Sequence, residues 1–407
     1  MALSDSTGMG KQSGSPASLL TLALVVSAFT TMISSLLSGL LLIEISATFG
    51  ISIAVAGQMR TVSFALSIVF SLLTGILSQI YDHRKLLLAG LIASCISAVG
   101  CSVAPTFSTV LLSFSLTGIA YALTTTMAFT LASEHYPREK RGQTIGFVIA
   151  GMSGAYLVGA FVVPYLGIVG GWKATFAGYM LPSSIVGLIL VLTAVPSSPA
   201  AVTETTAPRL LKSFKAILLD RSAFSSLLGC LLSFAAWQAV LTYNSSFFRQ
   251  RFGLSVSTAS VLILAGAVLY TLGSIVSGRF VGKLGEKTLS ALAAMISGLA
   301  IMSYSYVPEI SVSVGLLFVA CFCIGLMDTA STSLVMDQVP QHTGTMMSLQ
   351  RAVTQIGFSI GSGAGGAILL QYGDYAMVFL VLGSLAVVAA IVFEFATKSP
   401  DDSTKKP

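Results

Sequence analysis

The sequence is poor in charge. Asp, Glu, Lys and Arg together make up 9% of its 407 residues, whereas a soluble domain has about 25%. An ordinary soluble enzyme, a disordered chain and a nucleic-acid-binding protein all need more charged side chains, so the composition excludes these three classes. The net charge of +6 is small for this length, and the positions of the charges are more informative than their sum.

The residues that bind metals and catalyse hydrolysis are also scarce. There are three histidines, and all of them lie in predicted loops. The five cysteines lie in or beside apolar stretches, without the paired C-x2-C spacing of a zinc site. The absence of a G-x4-G-K-[S/T] motif excludes an ATP-driven engine within this chain. We therefore predict no metal, no cofactor and no enzymatic activity.

Long hydrophobic runs fill most of the sequence. Hydrophobic residues make up 55% of the chain, and the mean hydropathy is +0.90. A membrane-spanning helix needs roughly 20 apolar residues, and about a dozen runs reach that length. We therefore predict an all-α membrane protein with 12 transmembrane helices, called spans 1 to 12. Their predicted limits are 18–45, 54–80, 85–104, 108–133, 142–167, 173–195, 223–248, 256–281, 288–306, 311–337, 344–370 and 375–397.

The distribution of Lys and Arg predicts the orientation of the spans. Sixteen of the 21 lie in the two tails and in alternate loops, three lie in the opposite loops, and two lie inside spans. Because positive charge accumulates in cytoplasmic loops, we predict a cell-membrane protein with both termini in the cytoplasm. The predicted segments are a tail (1–17), a six-helix half (18–195), a basic linker (196–222), a second half (223–397) and a second tail (398–407).

An internal repeat relates the two halves at an offset of 203 residues. The segment Phe49-Gly50-Ile51-Ser52 aligns with Phe252-Gly253-Leu254-Ser255. At the same offset Phe176 aligns with Phe379. A register that stays constant from the first to the sixth helix pair indicates two copies of one six-helix unit.

The segment between spans 2 and 3 carries a family motif. The major facilitator superfamily has Gly-x-Leu-x-Asp-Arg-x-Gly-Arg-Arg at this place, and here the glycine and the basic end are present while Gln79 replaces the acid. The chain resembles that superfamily, and most of all its drug and sugar-efflux branches. The resemblance implies a monomer made of two pseudo-symmetric six-helix bundles. It also implies a gating role for Gly75, Gln79, Asp82 and Arg84, and for Gly278 and Lys283 in the second copy.

Small residues recur along one face of spans 5 and 11. Such spacing predicts close packing against a neighbouring helix. The antiporter signature that family members carry in span 5 is incomplete, and the span-4 arginine of many proton-coupled members is absent. The small residues are Gly151, Ala155 and Gly159 in span 5, and Gly357, Gly361 and Gly365 in span 11.

Two ionisable residues lie near the outer side of the predicted membrane. Charged side chains inside a span are costly, so each is a functional candidate. Glu44 is at the outer end of span 1, and Arg60 is about one turn into span 2 from the same side. The short connection puts them at similar heights, and we predict that they form an ion pair. The alternative is that Glu44 binds a proton on the exit path.

Two more ionisable residues lie in the second half. Asp328 is in the middle of span 10 among Gly, Ser and Thr residues, a polar face that suits a water-filled cavity. Arg351 lies about two turns into span 11, so the two could meet directly or through water. Two interpretations stay open, a structural ion pair and a proton or substrate site.

Aromatic and polar residues supply the remaining candidates. The resemblance implies a midplane cavity lined by spans 1, 4, 5, 7, 10 and 11. The run from Tyr243 to Phe248 is predicted to form an aromatic belt at the membrane surface, and the hydroxyl groups of span 4 have the alternative of bonding their own helix. The candidate binding residues are Tyr121, Thr125, Tyr156, Trp237, Gln238, Gln350 and Gln355.

These features predict a secondary transporter that works by alternating access. Our first hypothesis is proton-coupled efflux of a small, mostly apolar organic compound, with Asp328 or Glu44 as the proton carrier. The alternatives are uniport, and uptake of a small organic anion held by Arg60 or Arg351. A channel lacks a visible pore loop, and an intramembrane serine hydrolase lacks a histidine base inside any span. The expected partners are the substrate, protons and the lipid bilayer, without nucleic acid.

Overall fold

A computed structural model describes residues 16–136, 138–196, 217, 219–339 and 343–398. Side chains in these ranges are described except at positions 16–18, 75, 76, 79, 138–142 and 343–345. The N-terminal tail and most of the predicted linker and C-terminal tail lie outside the described residues. Within the described ranges nearly every residue is helical and none is in a strand, which confirms the all-α class.

The helices follow the predicted spans within a few residues. Eleven helical stretches of the described chain are long and apolar enough to cross a membrane, and one of them, Gln143–Ala194, is long enough for two spans. The first half consists of Pro16–Leu40 with Leu42–Phe49 (span 1), Ile53–Ile80 (span 2), His83–Val103 (span 3), Phe107–His135 (span 4), and Arg138–Thr175, Phe176–Met180 and Leu181–Ala194 (spans 5 and 6). The second half consists of Arg221–Phe252 (span 7), Val256–Leu284 (span 8), Glu286–Tyr304 (span 9), Ile310–Gln338 (span 10), Thr343–Tyr372 (span 11), and Tyr375–Ile391 with Val392–Ala396 (span 12).

Spans 5 and 6 meet at two glycines inside the stretch Arg138–Thr175. Gly170 has φ −146°, and Gly171 has φ 69° and ψ −172°, so the helix is interrupted there. A positive φ favours glycine because it has no Cβ. The two residues therefore join two spans with almost no loop.

The repeated segment at residues 49–52 and 252–255 is a turn between helices. Gly50 ends its helix with φ 63° and Gly253 with φ 67°, the left-handed conformation of a helix C-terminus. Two residues later Ser52 and Ser255 begin the next helix, and each side chain accepts a hydrogen bond from a backbone N–H three residues on. The sequence repeat thus encodes the same pair of helix caps twice.

Helix packing repeats between the halves in the same way. Span 1 packs on spans 5 and 6, as span 7 packs on spans 11 and 12, and span 4 packs on spans 2 and 3, as span 10 packs on spans 8 and 9. The two halves meet through span 2 against span 11 and span 5 against span 8, with span 1 touching span 7. This is the pseudo-symmetric arrangement of two six-helix bundles that the sequence predicts.

The small residues of spans 5 and 11 do allow close helix contacts. A Cβ at Gly151 would lie 2.6 Å from the Val25 carbonyl oxygen of span 1, and one at Gly357 would lie 2.6 Å from the Leu231 carbonyl oxygen of span 7. A Cβ at Gly361 would overlap the Ala235 carbonyl oxygen. The prediction of tight packing through these glycines is confirmed.

Candidate functional site

A cavity of about 360 Å³ lies between the two halves. Its walls come from spans 1, 2, 5, 7, 8 and 10, so the family-based expectation is wrong for spans 4 and 11, which contribute no lining residue among those described. Spans 2 and 8 take their place because they border the interface between the halves. The lining residues are Met32, Ser35, Leu36, Gly39, Arg60, Ile149, Met152, Ser153, Tyr156, Trp237, Val240, Leu241, Asn244, Ser245, Leu262, Ile263, Gly266, Ala267, Tyr270, Thr271, Ser274, Leu317 and Cys321.

Helical spacing explains which residues reach the cavity. Those of span 7 recur at positions 237, 240, 241, 244 and 245, and those of span 1 at 32, 35, 36 and 39. Residues three and four apart share one face of a helix. Span 8 carries a similar polar stripe, formed by Tyr270, Thr271 and Ser274. This stripe could have identified span 8 as a cavity wall, but the sequence analysis did not use it.

The surface of the cavity is mostly apolar. Some of its hydroxyl groups are already used, because Thr271 donates to the Ala267 carbonyl at 2.9 Å and Ser274 donates to the Gly325 carbonyl at 3.1 Å. The Trp237 and Tyr270 rings stack, with centroids 6.2 Å apart and an interplanar angle of 12°. Together these contacts leave broad apolar surfaces and few available polar groups.

Arg60 is the cation of this cavity. Its Nε donates to Ser38 Oγ at 2.8 Å, and its Nη2 donates to the carbonyl and hydroxyl oxygens of Ser35 at 2.5 and 2.6 Å. Its Nη1 donates to Thr242 Oγ1 at 3.2 Å across the interface between the halves. Gln238 is buried behind Thr242 and also donates to it, at 3.2 Å, so Gln238 supports the Arg60 network and lies outside the cavity lining.

Glu44 does not pair with Arg60, and this prediction is wrong. Glu44 pairs with Arg249 of span 7, with Nη2 to Oε1 at 2.5 Å and Nη1 to Oε2 at 3.1 Å. Arg249 Nη1 also donates to the Leu40 carbonyl at 3.0 Å, where the first helix ends. Arg60 instead donates to the hydroxyl groups of Ser35, Ser38 and Thr242. The Glu44–Arg249 pair therefore joins the two halves at the end that the sequence predicts to be outer.

A close helix contact at Gly39 also joins the two halves near this ion pair. A Cβ at Gly39 would lie 2.9 Å from the Leu241 carbonyl oxygen, so spans 1 and 7 touch backbone to backbone above the cavity. At the Glu44 end the two halves are thus joined by one ion pair and one close helix approach.

We expect Arg249→Gln to open the outer end more often. An ion pair at a partly exposed site contributes up to about 1 kcal/mol, which corresponds to a population shift of about fivefold. The measurement is the rate at which a membrane-impermeant thiol reagent, added from the outer side, labels Ser245→Cys in a chain that also carries Cys321→Ser. The rate should rise about fivefold.

Arg251→Gln is the matched control for this experiment. Arg251 donates to the Ser305 carbonyl at 2.6 Å within the second half, so its loss should not change the labelling rate. Equal acceleration by both variants would contradict a gating role for the Glu44–Arg249 pair.

Asp328 lies next to the cavity, behind Tyr270. Its Oδ2 accepts a hydrogen bond from the Tyr270 hydroxyl, and the residue as a whole is partly buried. Asp328 and Arg351 form no direct ion pair within the described residues, and a pair through water and a proton or substrate site both stay predictions. Arg351 lies over the Phe129 ring at 5.7 Å but is close enough to interact electrostatically with Asp328.

The other candidates divide into lining and supporting residues. Tyr156 and Trp237 line the cavity. Tyr121 is buried near Arg351, Tyr156 and Asp328 and is not a lining residue of the cavity. The Thr125 hydroxyl is buried and has no hydrogen-bond partner among the described residues. The two candidate glutamines of span 11 form hydrogen bonds between helices and do not line the cavity. Gln350 donates to Thr332 Oγ1 at 2.8 Å, and Gln355 donates to Ser67 Oγ at 2.6 Å.

The predicted aromatic belt of span 7 is also wrong. Tyr243, Phe247 and Phe248 are at most 1% exposed, and Tyr243 donates to the Ser362 carbonyl at 2.8 Å. These rings form the core of the second half, and Phe247 packs on Tyr304 and Phe379. Asn244, in the same run, lines the cavity and was missed because the whole run was assigned to the membrane surface.

The predicted gating segment lies at the opposite end from Glu44. The Asp82 side chain accepts from the Arg84 backbone N–H at 2.9 Å and caps span 3, and Arg84 Nη2 donates to the Leu192 carbonyl at 2.6 Å. The side chain of Gln79 is outside the described residues, as is the surrounding of Gly75. In the second copy, no atom lies within 4 Å of a Cβ built at Gly278, and Lys283 is exposed.

A sequence model described as Major Facilitator Superfamily matches residues 22–362, with a second match over residues 314–407. The chain belongs to the major facilitator superfamily. A similar protein from Bacillus subtilis (strain 168), named uncharacterized MFS-type transporter YbcL, is 22% identical over 364 residues, which are 86% of this chain and 88% of that protein.

Solved transporter structures share the fold of this superfamily member. A D-xylose-proton symporter has a TM-score of 0.77 at 18% identity, covering 95% of this chain and 99% of the other. A bacterial homolog of the human lysosomal transporter Spinster, inward-facing and occupied, has 0.76 at 17% identity, covering 94% and 97%. Its membership of the superfamily makes the chain a multi-pass membrane transporter of a small molecule rather than an enzyme.

Proposed function

We propose that this protein is a proton-coupled secondary transporter for a small, largely apolar organic compound, with Asp328 as the proton-binding residue. The cavity supports the size of the substrate, because about 360 Å³ lies within the roughly 300–1,000 Å³ of small-molecule sites. Its apolar walls support a compound with few polar groups. The Trp237–Tyr270 stack offers a flat surface for a ring.

The hydrogen bond from Tyr270 to Asp328 is the observation that carries proton coupling. An ionised carboxylate only accepts hydrogen bonds, whereas a protonated one also donates. Proton binding at Asp328 removes the negative charge that this hydrogen bond meets and adds a donor beside it, so it weakens the hold of Asp328 on the Tyr270 hydroxyl. Because Tyr270 lines the cavity and stacks on Trp237, the wall that meets the substrate changes with the protonation state.

Two directions of coupling fit this arrangement. Exchange of substrate for protons would drive efflux, which is the mode that the resemblance to efflux branches implies. Cotransport is the second candidate, and Arg60 favours it because a cation in the cavity wall attracts an anion. A similar fold in a protein named a D-xylose-proton symporter is compatible with cotransport. Uniport is the outcome expected if no protons move.

We further propose the placement of this transporter in the cell. The excess of Lys and Arg in one set of loops supports cytoplasmic termini and residence in the cell membrane. The division into halves at 18–195 and 223–397, joined by a linker at 196–222, follows from the repeat. A monomer suffices, because one chain supplies the whole cavity.

Proton flux in proteoliposomes tests the proposed function. The purified chain is reconstituted in liposomes that contain a pH-sensitive dye, and a panel of apolar organic cations, anions and neutral compounds is added outside. We expect at least one compound to move protons, inward with the substrate for cotransport and opposite to it for exchange. Transport of a panel compound without proton movement would contradict the proposal and favour uniport.

A further inference from the structure

Arg60 is a buried cation without a counter-ion. Its side chain is 3% exposed, and its hydrogen bonds reach only the neutral oxygens of Ser35, Ser38 and Thr242. It takes part in no ion pair within the described parts of the chain. A buried charge without an opposite charge is strongly unfavourable, so a ligand that supplies the negative charge would stabilise this position.

Two more residues that line the cavity each carry a buried polar atom without a partner among the described residues. Oδ1 of Asn244 and Oγ of Ser245 are buried and have no hydrogen-bond partner among the described residues. Asn244 is 7% exposed and Ser245 is 3% exposed, and both line the cavity together with Arg60. Buried polar groups are nearly always hydrogen-bonded. The Ser245 hydroxyl can donate a hydrogen bond to an anionic group beside Arg60, whereas Asn244 Oδ1 only accepts and suits a donor elsewhere on the same ligand.

The remainder of the cavity suits an apolar body. Trp237, Val240, Leu262 and Ile263 contribute to its walls, and the volume of about 360 Å³ accommodates a compound with one or two rings. A simple inorganic anion would leave this apolar surface unfilled. The complementary ligand has one anionic group and an apolar remainder.

We propose that Arg60 and Ser245 form an anion subsite, and that the transported compound is a small amphipathic organic anion such as an aryl carboxylate. This inference rests on the proposed function and specifies its substrate. It also predicts whether proton and substrate move in the same or in opposite directions. A proton on Asp328 removes a negative charge from the surroundings of the cavity, which favours an anion. Proton and substrate therefore travel in the same direction.

Binding of two matched probes tests the subsite. Naphthoate and naphthamide have nearly the same shape and differ in charge. Their affinities are measured by equilibrium dialysis on the purified full chain in lipid nanodiscs. We expect naphthoate to bind about tenfold or more tightly, the size of a charge-assisted hydrogen bond. Equal affinities would overturn the proposal, and so would displacement of naphthoate by millimolar chloride, which would indicate an inorganic-anion site.

Three variants identify the residue whose positive charge binds the carboxylate of naphthoate. Arg60→Gln should reduce the affinity ratio to about one while naphthamide still binds, which shows that the cavity is intact. Arg60→Lys should retain part of the preference, since it keeps the charge but loses the planar guanidinium that donates to Ser35, Ser38 and Thr242. Arg251→Gln is the matched control, because Arg251 donates to the Ser305 carbonyl outside the cavity lining. Loss of the preference in Arg251→Gln would overturn the proposal.

Proton flux on the same preparation separates this inference from the proposed function. Arg60-dependent naphthoate binding without proton movement would leave the anion subsite standing and remove the proton coupling. Proton flux driven equally by naphthoate and naphthamide would leave the coupling standing and overturn the subsite.

Discussion

Asp328→Asn is expected to abolish concentrative transport. With one proton coupled to each substrate, a difference of one pH unit supplies about 1.4 kcal/mol, enough for a substrate gradient of about tenfold. Asparagine has nearly the same shape and can still accept a hydrogen bond from Tyr270, but it cannot bind a proton. The gradient that a pH difference sustains should therefore fall from about tenfold to about one.

Two measurements on the same proteoliposomes check this expectation. The first is accumulation of the compound found in the flux screen under a pH difference, and the second is its exchange at equal pH. Asp328→Asn should lose the first and keep the second, because exchange needs only alternating access. Asp374→Asn makes the same chemical change at a helix cap distant from the cavity, and it should lose neither. Undiminished accumulation in Asp328→Asn would show that the proton is carried elsewhere.

Gly361→Val is expected to destabilise the folded protein severely. Any Cβ at this position overlaps the Ala235 carbonyl oxygen of span 7, and a backbone oxygen cannot rotate away as a side chain can. Forcing extra volume into a close-packed site costs roughly 1–3 kcal/mol or more, against a typical total stability of about 5–15 kcal/mol. Spans 7 and 11 would have to separate, and the wall that carries Trp237 would move with them.

Thermal stability in detergent provides the measurement for this variant. The fraction of monodisperse protein after heating is followed by size-exclusion chromatography, and the midpoint should fall by at least several degrees. Gly315→Val is the matched control, since Gly315 lies in a membrane helix with no atom within 4 Å of an added Cβ. If both variants melt at the same temperature, the contact between Gly361 and span 7 does not limit stability.

Most of the fold could be predicted from the sequence because its determinants are local or periodic. The length of each apolar run sets a span, and the glycine and serine of the repeated turn set where one helix ends and the next begins. The small residues of spans 5 and 11 signal close packing from their spacing alone. None of these inferences requires knowing which helices are neighbours across the molecule.

The partners of the site residues could not be predicted, because they depend on how the two halves dock. Glu44 and Arg60 are close in sequence and in height, yet Glu44 pairs with Arg249, 205 residues away. Asp328 can be identified from the sequence because charge is rare in a span. Its hydrogen-bond partner Tyr270 cannot, because it lies on span 8 with no charged residue close to it in the sequence. The buried rings around Phe247 show the same limit, since an aromatic cluster at a span end can face lipid or a neighbouring helix.

The internal repeat has a consequence for how a molecule sits in the cavity. At the offset of 203 residues, Arg60 corresponds to Ile263 and Asp328 corresponds to Thr125. Arg60 and Ile263 both line the cavity, so equivalent positions of the two halves present a cation on one side and a hydrocarbon on the other. The scaffold has twofold pseudo-symmetry, but its electrostatic field does not. A polar compound is therefore held in a single orientation, and turning it end for end yields a different and weaker complex.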